Sequence, residues 1–132
     1  MRCLFVKAPF AGWIVGGVKQ IEYRTRETLI RGRIGIIESG TGTVIGDTML
    51  IDCIYNAELG LYEWILWDSR RYLKPIPFEH KRGAMVWIEV DMPFRISFAP
   101  KLGLEAFNAA RERCREVTNA WLTVSIRKRR TL

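Results

Sequence analysis

The stretch Gly16-Gly17-Val18-Lys19-Gln20-Ile21-Glu22-Tyr23-Arg24 sets a tight turn, a lysine, a carboxylate and an arginine directly after a short apolar segment. The glycine pair permits positive φ and stops a helix. The residues that follow alternate like a strand leaving the turn. Strand side chains alternate between faces, so Gln20, Glu22 and Arg24 share one face, with Ile21 and Tyr23 on the other. Lys19 sits at the turn itself, where alternation need not hold, and can swing toward Glu22 and Arg24. Two cations and one anion then stand at the mouth of a cleft. The charges alone name no chemistry, because exposed pairs on a strand edge contribute little.

The 132 residues suffice for one domain with a real core. A hydrophobic fraction of 48% and a charged fraction of 27% belong to an ordinary soluble globular chain. No apolar run is long enough to span a bilayer. The start, Met1-Arg2-Cys3-Leu4-Phe5-Val6-Lys7, is apolar too briefly for a signal peptide. No membrane partner is expected. Cys3, Cys53 and Cys114 lie far apart, no CxxC occurs, and His80 is the single histidine. That spacing lacks a zinc-ligand set, so neither a metal nor a cofactor is expected. Free thiols and a cytoplasmic location are the simplest account. The net charge of +7 suits a partner that carries phosphates, RNA above all. Much of the excess sits in Arg127-Lys128-Arg129-Arg130. The expected organisation is therefore one domain over residues 1–124, then a basic, flexible tail over 125–132.

Along the chain, residues 3–7 read as a strand, and Pro9 opens a short helix that ends at Gly16 or Gly17. Phe10, Trp13 and Ile14 share one helical face; Phe10 reads as core, and Trp13 as a candidate cleft wall. Residues 25–30 read as a loop, and Arg24, Arg26, Arg31 and Arg33 cluster around it. Residues 33–38 form a central strand, and 43–55 the next, with a bulge at Gly46. Residues 57–73 fit either a short helix or an irregular strand. Lys74-Pro75-Ile76-Pro77-Phe78 is extended. Residues 85–90 and 94–98 alternate as two last strands. Leu104, Phe107, Ala110, Cys114, Val117 and Trp121 mark a helix over 104–121 whose apolar stripe packs on the sheet, with Arg111 and Arg115 on its solvated margin. The pattern fits a small barrel with helical caps or an open α+β sheet.

Gly17-x-Lys19-x-x-Glu22-x-Arg24 resembles the G-x-K-x-x-E-x-R signature of the ASCH domain (activating signal cointegrator homology), a branch of the PUA-like superfamily. The context is similar as well. Leu4-Phe5-Val6-Lys7-Ala8-Pro9-Phe10-Ala11 resembles the family's opening strand and helix. Arg31-Gly32-Arg33-Ile34-Gly35-Ile36-Ile37 and Gly42-Thr43-Val44-Ile45-Gly46 resemble the following strands. Pro75-Ile76-Pro77-Phe78, Arg82-Gly83 and Trp87 resemble its late pattern. The resemblance runs from about residue 3 to residue 90 in order. It implies a PUA-like small β-barrel of about six strands, class α+β, with a short N-terminal helix and a long C-terminal one.

The residues show no Ser-His-Asp or Cys-His arrangement, since His80 sits in a polar turn. Any catalysis must use Lys, Glu, Tyr or Thr. A lysine serves as base or nucleophile when burial or a neighbouring cation lowers its pKa. The resemblance implies RNA or nucleotide binding in a cleft of Lys19, Glu22 and Arg24. Lys7, Arg26 and Arg31 would then hold phosphates, and Trp13 or Trp87 would stack bases. It implies two hydrolytic alternatives in the same cleft. One is a metal-independent ribonuclease, with Lys19 and Arg24 stabilising the phosphorane and Tyr23 positioning the substrate. The other is an amidohydrolase acting on N4-acetylcytidine, for which the family uses a lysine, a threonine three residues later and a distant glutamate. Here the threonine position holds Glu22, and a carboxylate is not an equivalent nucleophile. Glu63, Glu79 and Glu89 are the candidates for the distant carboxylate. A third reading is a protein-interaction module with no cleft ligand, in which Lys19 and Glu22 merely pair at the surface.

Overall fold

Ile34, Ile36 and Ile37 of strand β3 (Gly32–Glu38) are fully buried, which requires cover on both faces of that strand. It lies inside a six-stranded sheet of order β2-β5-β4-β3-β1-β6. The elements, in a computed structural model that describes residues 1–130, run in the following order. Strand β1 (Arg2–Val6) leads to helix α1 (Phe10–Val15) and strand β2 (Ile21–Arg24). After β3 come β4 (Thr43–Asn56), β5 (Leu61–Pro77), β6 (Trp87–Glu89) and helix α2 (Leu104–Arg130). Strands β1 and β3 pair in parallel, with α1 and β2 inside the crossover between them. Every other neighbouring pair is antiparallel.

The expected barrel is an open sheet. Strands β4 and β5 bend together through register shifts at Val44/Gly46, Asp47/Met49 and Leu50/Asp52. Such irregularities increase twist and curl the sheet. Its two edges, β2 and β6, are short, and no ladder joins them among the described residues. Side chains partly bridge the gap instead: Trp64 of β5 stacks on Trp87 of β6 at 5.8 Å and 10°.

Other expectations are sharpened. Of the two readings for residues 57–73, the irregular strand holds: from Leu61 they form most of β5, after a turn with Gly60 at φ 65° and with Asp68 at φ 49°. The strand expected over 85–90 narrows to β6. The strand expected over 94–98 is reduced to a single bridge, Tyr72 to Phe98. Pro93 and Pro100 flank that segment and cannot donate to a ladder. Helix α2 does not stop at Trp121 but continues to Arg130, taking the basic run with it. Cations in a last helical turn interact favourably with the helix dipole. Arg129 also donates to Ser125 Oγ at 2.7 Å and to the Leu59 carbonyl in the β4–β5 turn. The end of the tail, residues 131–132, lies outside the described residues.

One core cluster gathers Leu4, Ile14, Ile34, Leu50, Trp64 and Leu66 beneath α1. The other joins Cys3, Ile37, Val44, Tyr72, Ile88 and Val90. Helix α1 rests on β4 at Gly46, where an added Cβ would lie 2.8 Å from Val15 Cβ. That close approach fixes where α1 ends and where the following turn begins. Helix α2 buries only Cys114 and Leu122. Its stripe therefore does not spread over the sheet as expected. It leans on α1, where Trp121 meets Phe10 edge-on at 6.3 Å.

Candidate functional site

The turn after α1 aims Lys19 inward. Gly16 N–H closes the helix on the Gly12 carbonyl at 3.0 Å, and Gly17 adopts φ 77°. The amides of Val18 and Lys19 then both donate to the Trp13 carbonyl at 3.0 Å. This fold-back starts β2 with Lys19 only 6% exposed and Glu22 7% exposed. Lys19 does swing to the Glu22 side. Its Nζ lies 3.5 Å from Glu22 Oε1 and donates to the Ile21 carbonyl. The ammonium also faces two rings, Phe10 at 5.6 Å and Tyr23 at 5.2 Å. Glu22 Oε2 accepts from Arg24 Nε at 3.0 Å and from Nη2 at 2.8 Å. The same Nη2 donates to the Phe5 carbonyl at 2.8 Å, and the guanidinium lies 5.6 Å from the Trp64 ring centroid. A carboxylate thus bridges two cations, leaving the trio one net positive charge.

Burial pushes the Lys19 pKa down, and the Glu22 carboxylate opposes that shift without cancelling it. Burial, helped by the charge of Glu63, pushes the Tyr23 hydroxyl up, so Tyr23 stays protonated near neutrality. These groups line a cavity of about 360 Å³. Phe5, Phe10 and Trp121 supply its apolar walls, and Lys7 stands beside them. Thr118 and Ser125 of α2 add two hydroxyls. An amine, a guanidinium and aromatic walls in one concavity can grip an anion or orient a planar ring.

The structure brings Lys7, Lys19, Glu22, Tyr23 and Arg24 together around this cavity. Trp13, Arg26, Arg31 and Trp87 are not among its lining residues. Trp13 packs edge-on against Phe10 at 6.0 Å, and Trp87 is stacked against Trp64. Arg26 is exposed, and its carbonyl accepts from Trp64 Nε1 at 3.0 Å. The Arg31 guanidinium donates to the carbonyls of Thr28 and Ile30 at 2.9 and 2.8 Å. The three candidate distant carboxylates also lie outside the cavity lining. Glu63 accepts from Asn56 Nδ2 at 3.1 Å, Glu89 sits 3.1 Å from the N-terminal ammonium, and Glu79 is exposed. Arg115 pairs with Glu112 at 3.4 Å, and Arg111 lies over Phe107.

Sequence reasoning missed Phe10, Thr118, Trp121 and Ser125 as cavity residues. The available signal was spacing: Thr118, Trp121 and Ser125 follow one another at steps of three and four, on one helical face. Among the described residues, no group of three or more His, Cys, Asp or Glu side chains is placed to hold a metal ion. No described helix is long and apolar enough to cross a membrane.

No curated protein sequence matches the chain. Among solved structures, two variants of the ZmASCH protein from Zymomonas mobilis are similar, one tyrosine-to-phenylalanine and one serine-to-alanine. Each is 20% identical with a TM-score of 0.49; 58% of this chain is covered, against 74% and 72% of theirs. The ASCH domain model matches residues 4–92, from within β1 to beyond β6, and includes the whole Lys19–Glu22–Arg24 trio; α2 lies outside the match. The chain belongs to the ASCH domain family.

Proposed function

We propose that this protein binds RNA by seating one nucleotide in the cavity formed by Lys19, Glu22 and Arg24. The carrying observation is the buried trio itself. Desolvating charge is costly even when it is paired, and a desolvated ion cluster lining a cleft is a mark of a functional site. Here it ends in one uncancelled positive charge beside three aromatic walls. A nucleotide supplies both complements, a phosphate for the cations and a planar base for the rings. The cavity volume of about 360 Å³ is of the size that encloses one small ligand rather than a duplex. Lys7 and Arg24 are the phosphate contacts of this reading, and Trp121 and Tyr23 its stacking surfaces. Arg26, Arg31, Trp13 and Trp87 are not needed for it.

Hydrolysis in the same cavity is the second reading, favoured by one observation. Burial lowers the Lys19 pKa, which eases loss of its proton, and the hydroxyls of Thr118 and Ser125 line the same cavity. A neutral Lys19 takes a proton from water or from a substrate hydroxyl, and Arg24 steadies the negative charge that develops on the attacked centre. Both a metal-independent ribonuclease and an N4-acetylcytidine amidohydrolase are reactions of this kind. Glu22 holds Lys19 and Arg24 in place in either case and is not a nucleophile.

The test incubates purified protein with labelled RNA and with a panel of N4-acylated cytidines, beside Lys19→Ala. Binding that weakens in the variant, with no turnover in either protein, supports the binding module. Turnover abolished in the variant establishes the enzyme. Binding and turnover both untouched by the substitution would remove the cavity from the account.

A further inference from the structure

A second concavity, of about 490 Å³, lies between β5 and the segment 98–102. Gly16, Gly17 and Gln20 line it, and Lys19 between them in the chain lines the first cavity. Lys19 and Gln20 are successive residues, so one backbone segment contributes to both sites. The groove carries Arg70, Arg71 and Lys101. Its exposed carboxylate, Asp68, is already paired with Arg33 Nη2 at 2.7 Å. The fully buried Asp47 is held by Arg33, by Arg70 and by the Tyr72 hydroxyl at 2.7 Å. Arg71 and Lys101 make no ion pair among the described residues, and both are exposed. The positive charge of the groove is therefore uncompensated.

The aromatic groups there are placed as platforms. Trp67 is 61% exposed on β5, on the face opposite the fully buried Leu66. Phe98 is held under the Arg70 guanidinium at 4.2 Å, which keeps its ring at the surface. Two unpaired cations and an exposed indole in one groove suit single-stranded nucleic acid: cations follow the phosphates and a ring takes a base.

We infer that this groove is a second binding site, which takes the phosphodiester and base of the nucleotides flanking the one in the Lys19 cavity. Arg71 and Lys101 are its phosphate contacts, and Trp67 is its stacking platform. The inference rests on the RNA-binding reading of the cavity and extends it from a single nucleotide to a strand that passes the Gly16–Gly17 turn.

The test compares a mononucleotide with a short single-stranded oligoribonucleotide by fluorescence anisotropy across a salt series. The proteins are wild type, Lys19→Ala, Arg71→Ala/Lys101→Ala and Trp67→Ala. All three groove substitutions are at exposed positions, which leaves the fold intact. The oligonucleotide should bind the Arg71→Ala/Lys101→Ala protein about tenfold more weakly, with the slope of log K against log salt reduced by about 1.4. Trp67→Ala should weaken it about tenfold with the slope unchanged. Mononucleotide binding should be indifferent to all three and sensitive to Lys19→Ala. A mononucleotide that binds as well as the oligonucleotide, or an oligonucleotide unaffected by the groove substitutions, overturns the second site and leaves the cavity standing. Oligonucleotide displaced by inorganic phosphate, with Trp67→Ala without effect, leaves a simple anion site and overturns strand recognition. Wild-type protein that binds neither ligand removes both sites.

Discussion

Arg24 Nη2 donates to Glu22 Oε2 and to the Phe5 carbonyl, at 2.8 Å each, and so ties edge strand β2 to strand β1 across the open side of the sheet. One guanidinium thus organises the cavity and braces the gap that no ladder closes. Arg24→Ala should cost about 2 kcal/mol in chemical denaturation, the range for hydrogen bonds to charged groups. Arg24→Lys should recover little of it, because an ammonium cannot span both acceptors in the same fork. A lysine variant as stable as wild type would show that charge, not geometry, matters there.

Lys19 makes stability depend on pH in a definite direction. Its pKa is lowered in the fold, chiefly by burial, and has its ordinary value in the unfolded chain. Between those two values the unfolded chain binds more protons, so stability rises with pH across that window and is flat below it. Urea unfolding of wild type and Lys19→Met over mildly to strongly alkaline pH should show this rise only in wild type. Parallel curves for the two proteins would contradict the burial account.

Asp47 is the most demanding polar residue of the core. It is 0% exposed and holds Arg33 at 2.6 Å, Arg70 at 2.9 Å and Tyr72 at 2.7 Å. Burial, reinforced by the Asp47 carboxylate, pushes the Tyr72 hydroxyl strongly up. Asp47→Ala should cost about 3 to 5 kcal/mol, since it removes the buried acceptor that Arg33, Arg70 and the Tyr72 phenol share. Thermal unfolding measures the loss, and a drop of only a degree or so would mean that water replaces the carboxylate.

Gly46 sets the seat of α1. An alanine methyl there collides with Val15 and with the Arg70 carbonyl. Gly46→Ala should cost about 1 to 3 kcal/mol and lift α1 from β4. Because α1 carries Phe10 and leads into the Gly16–Gly17 turn, nucleotide affinity should fall together with stability in the same preparation.

Trp121 separates ligand binding from folding. It is 40% exposed and meets the body through Phe10. Trp121→Ala should weaken nucleotide binding about tenfold in a titration, while the unfolding midpoint moves little. A large stability loss would instead make α2 a structural brace and not a cavity wall.

Much of this was legible in the sequence. The Gly16-Gly17 turn, the alternation over Ile21 to Arg24 and the run of buried isoleucines in β3 follow from backbone freedom and period, and all appear in the structure. Lys19 turned toward Glu22, as its place at the turn allows. The closure of the sheet was not legible, since it depends on how far bulges in β4 and β5 curl two short edges. Strand β5 was obscured by its own irregularity: Asp68 at φ 49° breaks the alternation that reveals strands. The wall from α2 was hidden because one stripe of residues serves as packing and as lining, and only tertiary placement distinguishes Trp121 from Leu122.

The most direct test of the central claim is a backbone amide NMR titration of the protein with a single nucleotide. Shifts concentrated in residues 18–24 and 118–125, absent in Lys19→Ala, are the predicted result. Shifts elsewhere, or shifts that survive the substitution, would contradict a nucleotide held by Lys19, Glu22 and Arg24.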